Sequence, residues 1–129
     1  MAIGRIEVLR GLPPEDPRGR VEAVHRSLVS ALRVPSDDPT VLLVELDPEH
    51  AMLPAGATTQ FTVVQVTLFA GRSPAVKQEL YRLLYQSLHS LGVAPSDVLV
   101  VLVESSRSNW AAGGEVAASE VDLGFSVEI

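Results

Sequence analysis

The chain repeats itself. Shifted by 60 residues, Gly11 falls on Gly71, Pro14 on Pro74, Ser27-Leu28 on Ser87-Leu88 and Ser30 on Ser90. Pro35-Ser36-Asp37 falls on Pro95-Ser96-Asp97, and Val41-Leu42 on Val101-Leu102. Self-similarity of this kind constrains a fold more than local propensity does, because each copy must be the same supersecondary unit and neither can bury its apolar face alone. Each half reads strand, glycine turn, helix, Pro-Ser-Asp turn, strand. The chain is therefore expected to hold two βαβ units, about 1–46 and 61–104, followed by a hairpin or arm over 105–129, all within one domain spanning 1–129. Two such units can join their strands into one four-stranded sheet with both helices on a single face, an α/β chain in two layers (α+β).

Local signals agree with the repeat. Residues 3–9 read as the first strand and 11–17 as a Pro-rich turn. Val21, Val24, His25, Leu28, Ala31 and Leu32 recur at helical spacing, and Pro35 and Pro39 end that helix. Residues 41–46 read as the second strand. A long loop over 47–59, with Pro48, Pro54 and Gly56, has room for one short helical turn. Residues 61–69 are almost continuously apolar, as a central strand covered on both faces would be. Ser73 is placed to cap the second helix, with Pro74 at its first position. Val76, Leu80, Leu83, Leu84, Leu88 and Leu91 form its buried stripe. Residues 98–103 read as the fourth strand, and 121–129 as an edge strand or an arm.

Composition narrows the partners. The sequence is 47% hydrophobic but 5% aromatic, so the core must be built from Val, Leu and Ala. A net charge of −6 and a pI near 4.9 leave nothing to neutralise phosphates, so no nucleic-acid partner is expected. No basic cluster suits an anionic membrane, and no apolar run is long enough to span one. Without cysteine, disulfides and thiol catalysis are excluded. His25, His50 and His89 lie far apart in the sequence and form no metal-ligand pair at helical spacing. No cofactor and no metal are expected, and the N-terminus has no signal-peptide core, which points to a cytoplasmic protein.

One face of the expected sheet stays bare. The third and fourth strands read as apolar on both faces, while the helices can cover only one. A patch of that size is expected to be buried by another subunit.

Three segments carry a family resemblance. Ala70-Gly71-Arg72-Ser73 with Lys77-Gln78 and Leu80-Tyr81, the turn Val34-Pro35-Ser36-Asp37-Asp38, and Leu102-Val103-Glu104 through Asn109-Trp110 resemble the malonate semialdehyde decarboxylase-like group of the tautomerase superfamily. Glu22-Ala23-Val24-His25 and Asp47-Pro48 fit as well. The resemblance runs from about residue 3 to 110. It implies a homotrimer whose sheets enclose a barrel with helices outside. It also implies an N-terminal proline, exposed by Met removal, that works as acid or base, an arginine that holds the substrate carboxylate, and an assisting aspartate.

The departures shape the functional expectation. Ala2 stands where the family pattern has proline. With Met1 in place the Ala2 nitrogen is an amide; with Met1 removed it is a primary amine with a reference pKa of roughly 8, lowered by burial. The group's second arginine near the strand end is replaced by Phe69 or Ala70, and its aromatic two residues after the tryptophan by Ala112. The resemblance makes Ala2 and Asp38 the candidate catalytic positions and Arg72 and Trp110 the candidate substrate-binding ones. Each has a structural alternative: Asp38 a turn residue, Arg72 a solvated turn arginine, Trp110 an intersubunit packing residue. Arg72 has separate support, because it follows a strand at the start of a helix, where open α/β sheets place ligands. Glu104 either caps a network or lines the site, and His25 reads as a satisfied core or interface histidine. The expected function is a tautomerase-superfamily enzyme, an isomerase, hydratase or decarboxylase of a small keto- or enol-carboxylate, weakened or altered by Ala2. The alternative is a catalytically inactive binding protein of the same fold.

Overall fold

Two residue pairs, each 60 positions apart, mark the symmetry of the repeat in different layers. In the computed structural model, which describes residues 1–11 and 17–129, Ser27 Oγ and Ser87 Oγ meet at 3.1 Å between the helices. Arg5 stands directly opposite Gln65 in the sheet. The elements run β1 (Ala2–Leu9), α1 (Pro17–Leu32), β2 (Thr40–Leu46), β3 (Thr62–Phe69), α2 (Pro74–Ser90) and β4 (Val98–Ser105). The sheet order is β2-β1-β3-β4. Each outer strand is parallel to its inner neighbour, as a βαβ unit requires, and an antiparallel seam between β1 and β3 joins the two units. This is the architecture read from the repeat.

Both helices begin at a proline, whose φ suits the first helical turn. Ser73 Oγ caps α2 by accepting from the Val76 N–H at 3.3 Å. Val24, Leu28 and Leu32 on α1 and Leu80, Leu84 and Leu88 on α2 are buried against Ile6, Val8, Val64, Val66 and Leu68 of the inner strands. Burial of each leucine contributes about 1.5–3 kcal/mol. Gly4 lets α1 approach closely: a Cβ there would stand 3.2 Å from both Leu28 Cδ1 and Val24 Cγ1.

The repeat is one residue out of step in its outer strands. Ile3 pairs with Thr40, 37 positions on, whereas Val63 pairs with Leu99, 36 positions on. Asp38-Pro39 therefore spans an interval that Val98 alone spans in the second unit. Val41 corresponds to Val100, not to Val101 as the simple 60-residue shift implies. A one-residue slip exchanges the faces of a strand, so the pairing that keeps the core intact prevails.

The open face also differs from expectation. Its three central rows read Thr40-Ile3-Thr67-Val103, Leu42-Arg5-Gln65-Val101 and Val44-Glu7-Val63-Leu99. β3 thus presents Gln65 and Thr67 there, so it is not apolar on both faces. The apolar surface lies mainly toward the sheet edges, with Leu42 49%, Leu99 47%, Val101 40% and Val103 41% exposed.

The loop after β2 contains one helical turn, Pro48–His50, capped by Asp47. Its far end is tied to buried Asp97, which accepts from the Thr58 N–H at 2.8 Å and from the Thr58 hydroxyl at 2.5 Å. Residues 121–129 form no strand; they return across the end of β3, where Ser73 Oγ donates to the Ile129 carbonyl at 3.2 Å. Of the Pro-rich turn expected over 11–17, residues 12–16, Pro14 included, lie outside the described residues, and Pro17 already belongs to α1. Among the described residues no helix is long and apolar enough to cross a membrane.

Candidate functional site

The antiparallel seam brings the start of β1 beside the end of β3, with Ala2 opposite Leu68. β4 runs parallel to β3 and ends beside it, with Phe69 opposite Ser105. The turn after α1 delivers Asp38 to the same end of the sheet, because β2 starts alongside β1. His25 steadies that turn: its Nε2 donates to the Ser36 carbonyl at 2.8 Å, which satisfies the half-buried ring.

Asp38 Oδ2 lies 3.3 Å from the Met1 α-amine, with the aspartate side chain 12% exposed. Burial pulls the pKa of this amine below its usual value. The Asp38 charge opposes that shift, while Arg72 and Arg107 add to it. Ala2 is buried at the first position of β1, and with Met1 ahead of it its nitrogen belongs to a peptide bond.

Arg72 does not extend into solvent; it is 4% exposed. Nη1 donates to the Phe69 carbonyl at 3.0 Å. Nε and Nη2 have no hydrogen-bond partner among the described residues. These two nitrogens share one edge of the guanidinium, the edge that takes a carboxylate bidentately. Burial lowers the Arg72 pKa, with the charges of Asp38 and Glu104 opposing. Glu104 is itself paired to Lys77 at 2.5 Å, so it belongs to a charged network at the end of β4.

Gly71 makes this arrangement possible. Its φ is 129°, and a Cβ there would stand 3.0 Å from the Val127 carbonyl oxygen. The C-terminal segment can therefore lie across the turn that places Arg72. Trp110 meets Phe69 edge to face, with centroids 5.0 Å apart at 74°. Phe69 links the two substrate-binding candidates: its ring meets Trp110 and its carbonyl accepts from Arg72.

The structure thus brings Asp38, Arg72 and the chain start together, with Trp110 one residue removed. His50 and His89 are exposed and take no part. Sequence reasoning missed Arg107. It sits in the one-turn helix Arg107–Asn109 just past β4, and its Nη2 donates to the carbonyls of Ala118 and Val121, both at 2.9 Å. The rule that flagged Arg72, a cation just past the carboxyl end of a strand, applies equally to Arg107. Among the described residues no group of three or more His, Cys, Asp or Glu side chains could hold a metal ion.

Comparisons with known proteins bear on this arrangement. A family model described as tautomerase enzyme matches residues 38–113, a span that includes Asp38, Arg72 and Trp110. The probable tautomerase YrdN of Bacillus subtilis is 28% identical over 119 residues, covering 88% of this chain and 92% of the relative. A structure of FG41 malonate semialdehyde decarboxylase inhibited by 3-bromopropiolate is 29% identical with a TM-score of 0.79, covering 91% of this chain and 92% of that one. A wild-type fused 4-OT solved as a symmetric trimer has a TM-score of 0.79 at 24% identity, covering 91% of this chain and 96% of that one, and shares the fold.

Proposed function

The chain belongs to the tautomerase enzyme family, and from that premise we propose that it acts on a small keto- or enol-carboxylate as an isomerase or decarboxylase. The observation that carries this reading is the unmet Nε–Nη2 edge of buried Arg72, a cation close enough to Asp38 and the chain's first amine for their charges to act on one another. Arg72 holds the carboxylate. When Met1 is absent, the Ala2 α-amine moves the proton. In its neutral form it takes the enol hydroxyl proton of the bound substrate, and a proton returned to the neighbouring carbon gives the keto form. Asp38, which meets the Met1 amine at 3.3 Å, supplies the negative charge beside the chain start. Trp110 and Phe69 shield the site from water. An α-amine suits this work because burial, which lowers the pKa of the Met1 amine, favours the neutral form that accepts a proton.

The bare sheet face supports a homotrimer, as do the trimeric fused 4-OT structures that share the fold. A cysteine-free chain is also in keeping with a reducing cytoplasm.

A second reading, a binding protein without catalysis, draws on Ala2: while Met1 precedes it, its nitrogen is an amide and cannot accept a proton. Enol-to-keto conversion of phenylpyruvate, followed by ultraviolet absorbance, separates the two. Turnover that falls at least tenfold in Arg72→Ala supports the enzyme. Ligand binding with no turnover in protein shown by mass to lack Met1 leaves the binding protein.

A further inference from the structure

The repeat that shapes the fold also duplicates the end of the sheet at which the candidate site lies. Ala2 opposite Leu68, at one end of the antiparallel seam, becomes Thr62 opposite Val8 at the other end on a 60-residue shift. The outer strands carry the one-residue slip, so Phe69 beside Ser105 answers to Leu9 beside Leu46. Past each outer strand comes one helical turn, Arg107–Asn109 after β4 and Pro48–His50 after β2, followed by Trp110 and Ala51 respectively. Phe61, Leu9 and Ala51 therefore stand at the far end where Met1, Phe69 and Trp110 stand at the near one.

The contents of the two ends differ. Trp110 packs edge to face on Phe69, whereas Ala51 is too small to fill the corresponding place. A cleft of about 210 Å³ lies there, walled by Phe61, Leu9, Ala51 and Leu53, with Met52 on its lining and 99% exposed. The cations are gone as well. In the sequence Leu12 answers to Arg72 and Pro48 to Arg107. The Phe61 nitrogen, in place of the chain's first amine, is a peptide N–H that donates to the Thr58 carbonyl at 3.1 Å. Arg10, next along β1, is held by Asp47 at 2.6 Å. Among the described residues that line the cleft, only Glu7 is charged, and it shares a face of β1 with Leu9. Its one cationic neighbour, Arg5 Nε, stands 3.9 Å away, beyond hydrogen-bond reach.

We propose that this cleft is a second ligand site, which takes a small apolar ammonium such as an arylmethylamine. Its size suits one ring, since an apolar cavity of about 150 Å³ already holds benzene. The ring enters between Phe61, Leu9 and Ala51, and the ammonium meets Glu7. A carboxylate has no cation to meet there and faces the Glu7 charge, so the two ends of the sheet select ligands of opposite sign.

The two methionines mark the two ends, Met1 beside Asp38 and Met52 on the cleft. Methyl NMR of the methionine-labelled full chain reads the cleft through the Met52 signal, assigned with Met52→Leu. Benzylammonium, benzyl alcohol and benzoate are the probes. Benzylammonium should shift the Met52 signal saturably, benzyl alcohol should bind about fivefold more weakly, and benzoate should leave the signal in place. Glu7→Gln should bring benzylammonium down to the affinity of benzyl alcohol. Ala51→Val should weaken both, and Ala51→Trp, checked for folding by circular dichroism, should abolish both. Arg72→Ala should change none of this, which keeps the cleft separate from the carboxylate reading. Benzoate binding as tightly as benzylammonium, indifference to Glu7→Gln, or indifference to both Ala51 substitutions overturns the proposal. So does loss of binding in Arg72→Ala, and so does a Met52 signal that no probe moves, the result expected if a second copy of the chain fills the cleft.

Discussion

Asp38 Oδ2 and the Met1 α-amine form an ion pair at 3.3 Å between the turn after the first helix and the start of the first strand. The pair is partly buried, and desolvation of the amine outweighs the attraction of Asp38, so the amine's pKa falls below its usual value. A group whose pKa is lower in the folded state binds fewer protons there than in the unfolded chain. Stability then rises with pH across the window between the two values, which ends at about 8. Acetylation of Met1 removes the titrating group. Urea denaturation over a pH series should show the free-amine chain gaining stability relative to the acetylated one as pH rises toward 8. Parallel pH profiles for the two forms would contradict the lowered pKa.

Arg72→Ala should cost carboxylate binding far more than it costs the fold. A charge-assisted pair contributes about 1.5–3 kcal/mol, so affinity for pyruvate or acetate should fall roughly 10- to 100-fold. Arg72→Lys should recover only part of it, because an ammonium cannot reproduce the bidentate edge. Thermal unfolding should shift little, since losing the hydrogen bond to Phe69 is offset by removing a buried charge. Isothermal titration and differential scanning calorimetry read the two effects separately. Equal affinity in wild type and Arg72→Ala would remove Arg72 from the site.

The repeat carried most of the fold because a 60-residue self-match specifies two equal units before any element is assigned. It could not show the extra residue at Asp38-Pro39, since Pro35-Ser36-Asp37 and Pro95-Ser96-Asp97 align without a gap and the slip appears only in strand pairing. Gln65 and Thr67 were hidden inside an apolar run whose two faces hydropathy alone does not separate. At the site, Arg72 was legible from its place after a strand, and Asp38 and Trp110 from the family resemblance. The Met1–Asp38 pair was not, because no sequence pattern records which turn a chain terminus meets in space. Residues 121–129 show only weak alternation. Their position depends on Gly71, whose missing side chain lets the Val127 carbonyl approach.

The open sheet face should be the trimer interface. Leu99, Val101 and Val103 share one exposed edge, with Leu42 on the other. Sedimentation equilibrium at micromolar concentration should give three times the chain mass of 13.8 kDa. Val101→Glu should shift the population toward single chains, because it buries unpaired carboxylates at the interface. A wild-type monomer, or a Val101→Glu trimer as stable as wild type, would place the interface elsewhere.

Asp97 should matter more to stability than its equivalent in the repeat, Asp37. Asp97 is 2% exposed and accepts both hydrogen bonds from Thr58, whereas Asp37 is exposed. Asp97→Ala should destabilise the chain by about 1.5–3 kcal/mol, and Asp37→Ala by at most about 0.5 kcal/mol. Urea midpoints at constant m-value measure both. A reversed order would show that the loop anchor contributes little.

The most direct test of the proposed chemistry is kcat/KM for phenylpyruvate enol-to-keto conversion by one preparation of the wild-type chain divided into forms with and without Met1. An extended residue displaces the amine by about 3.3–3.6 Å, and a misplacement of even about 1 Å can cost roughly 100-fold. The form lacking Met1 should be active, and the form retaining it at least 100-fold slower. Equal rates for the two forms would show that the proton-transfer group is not the chain's first amine.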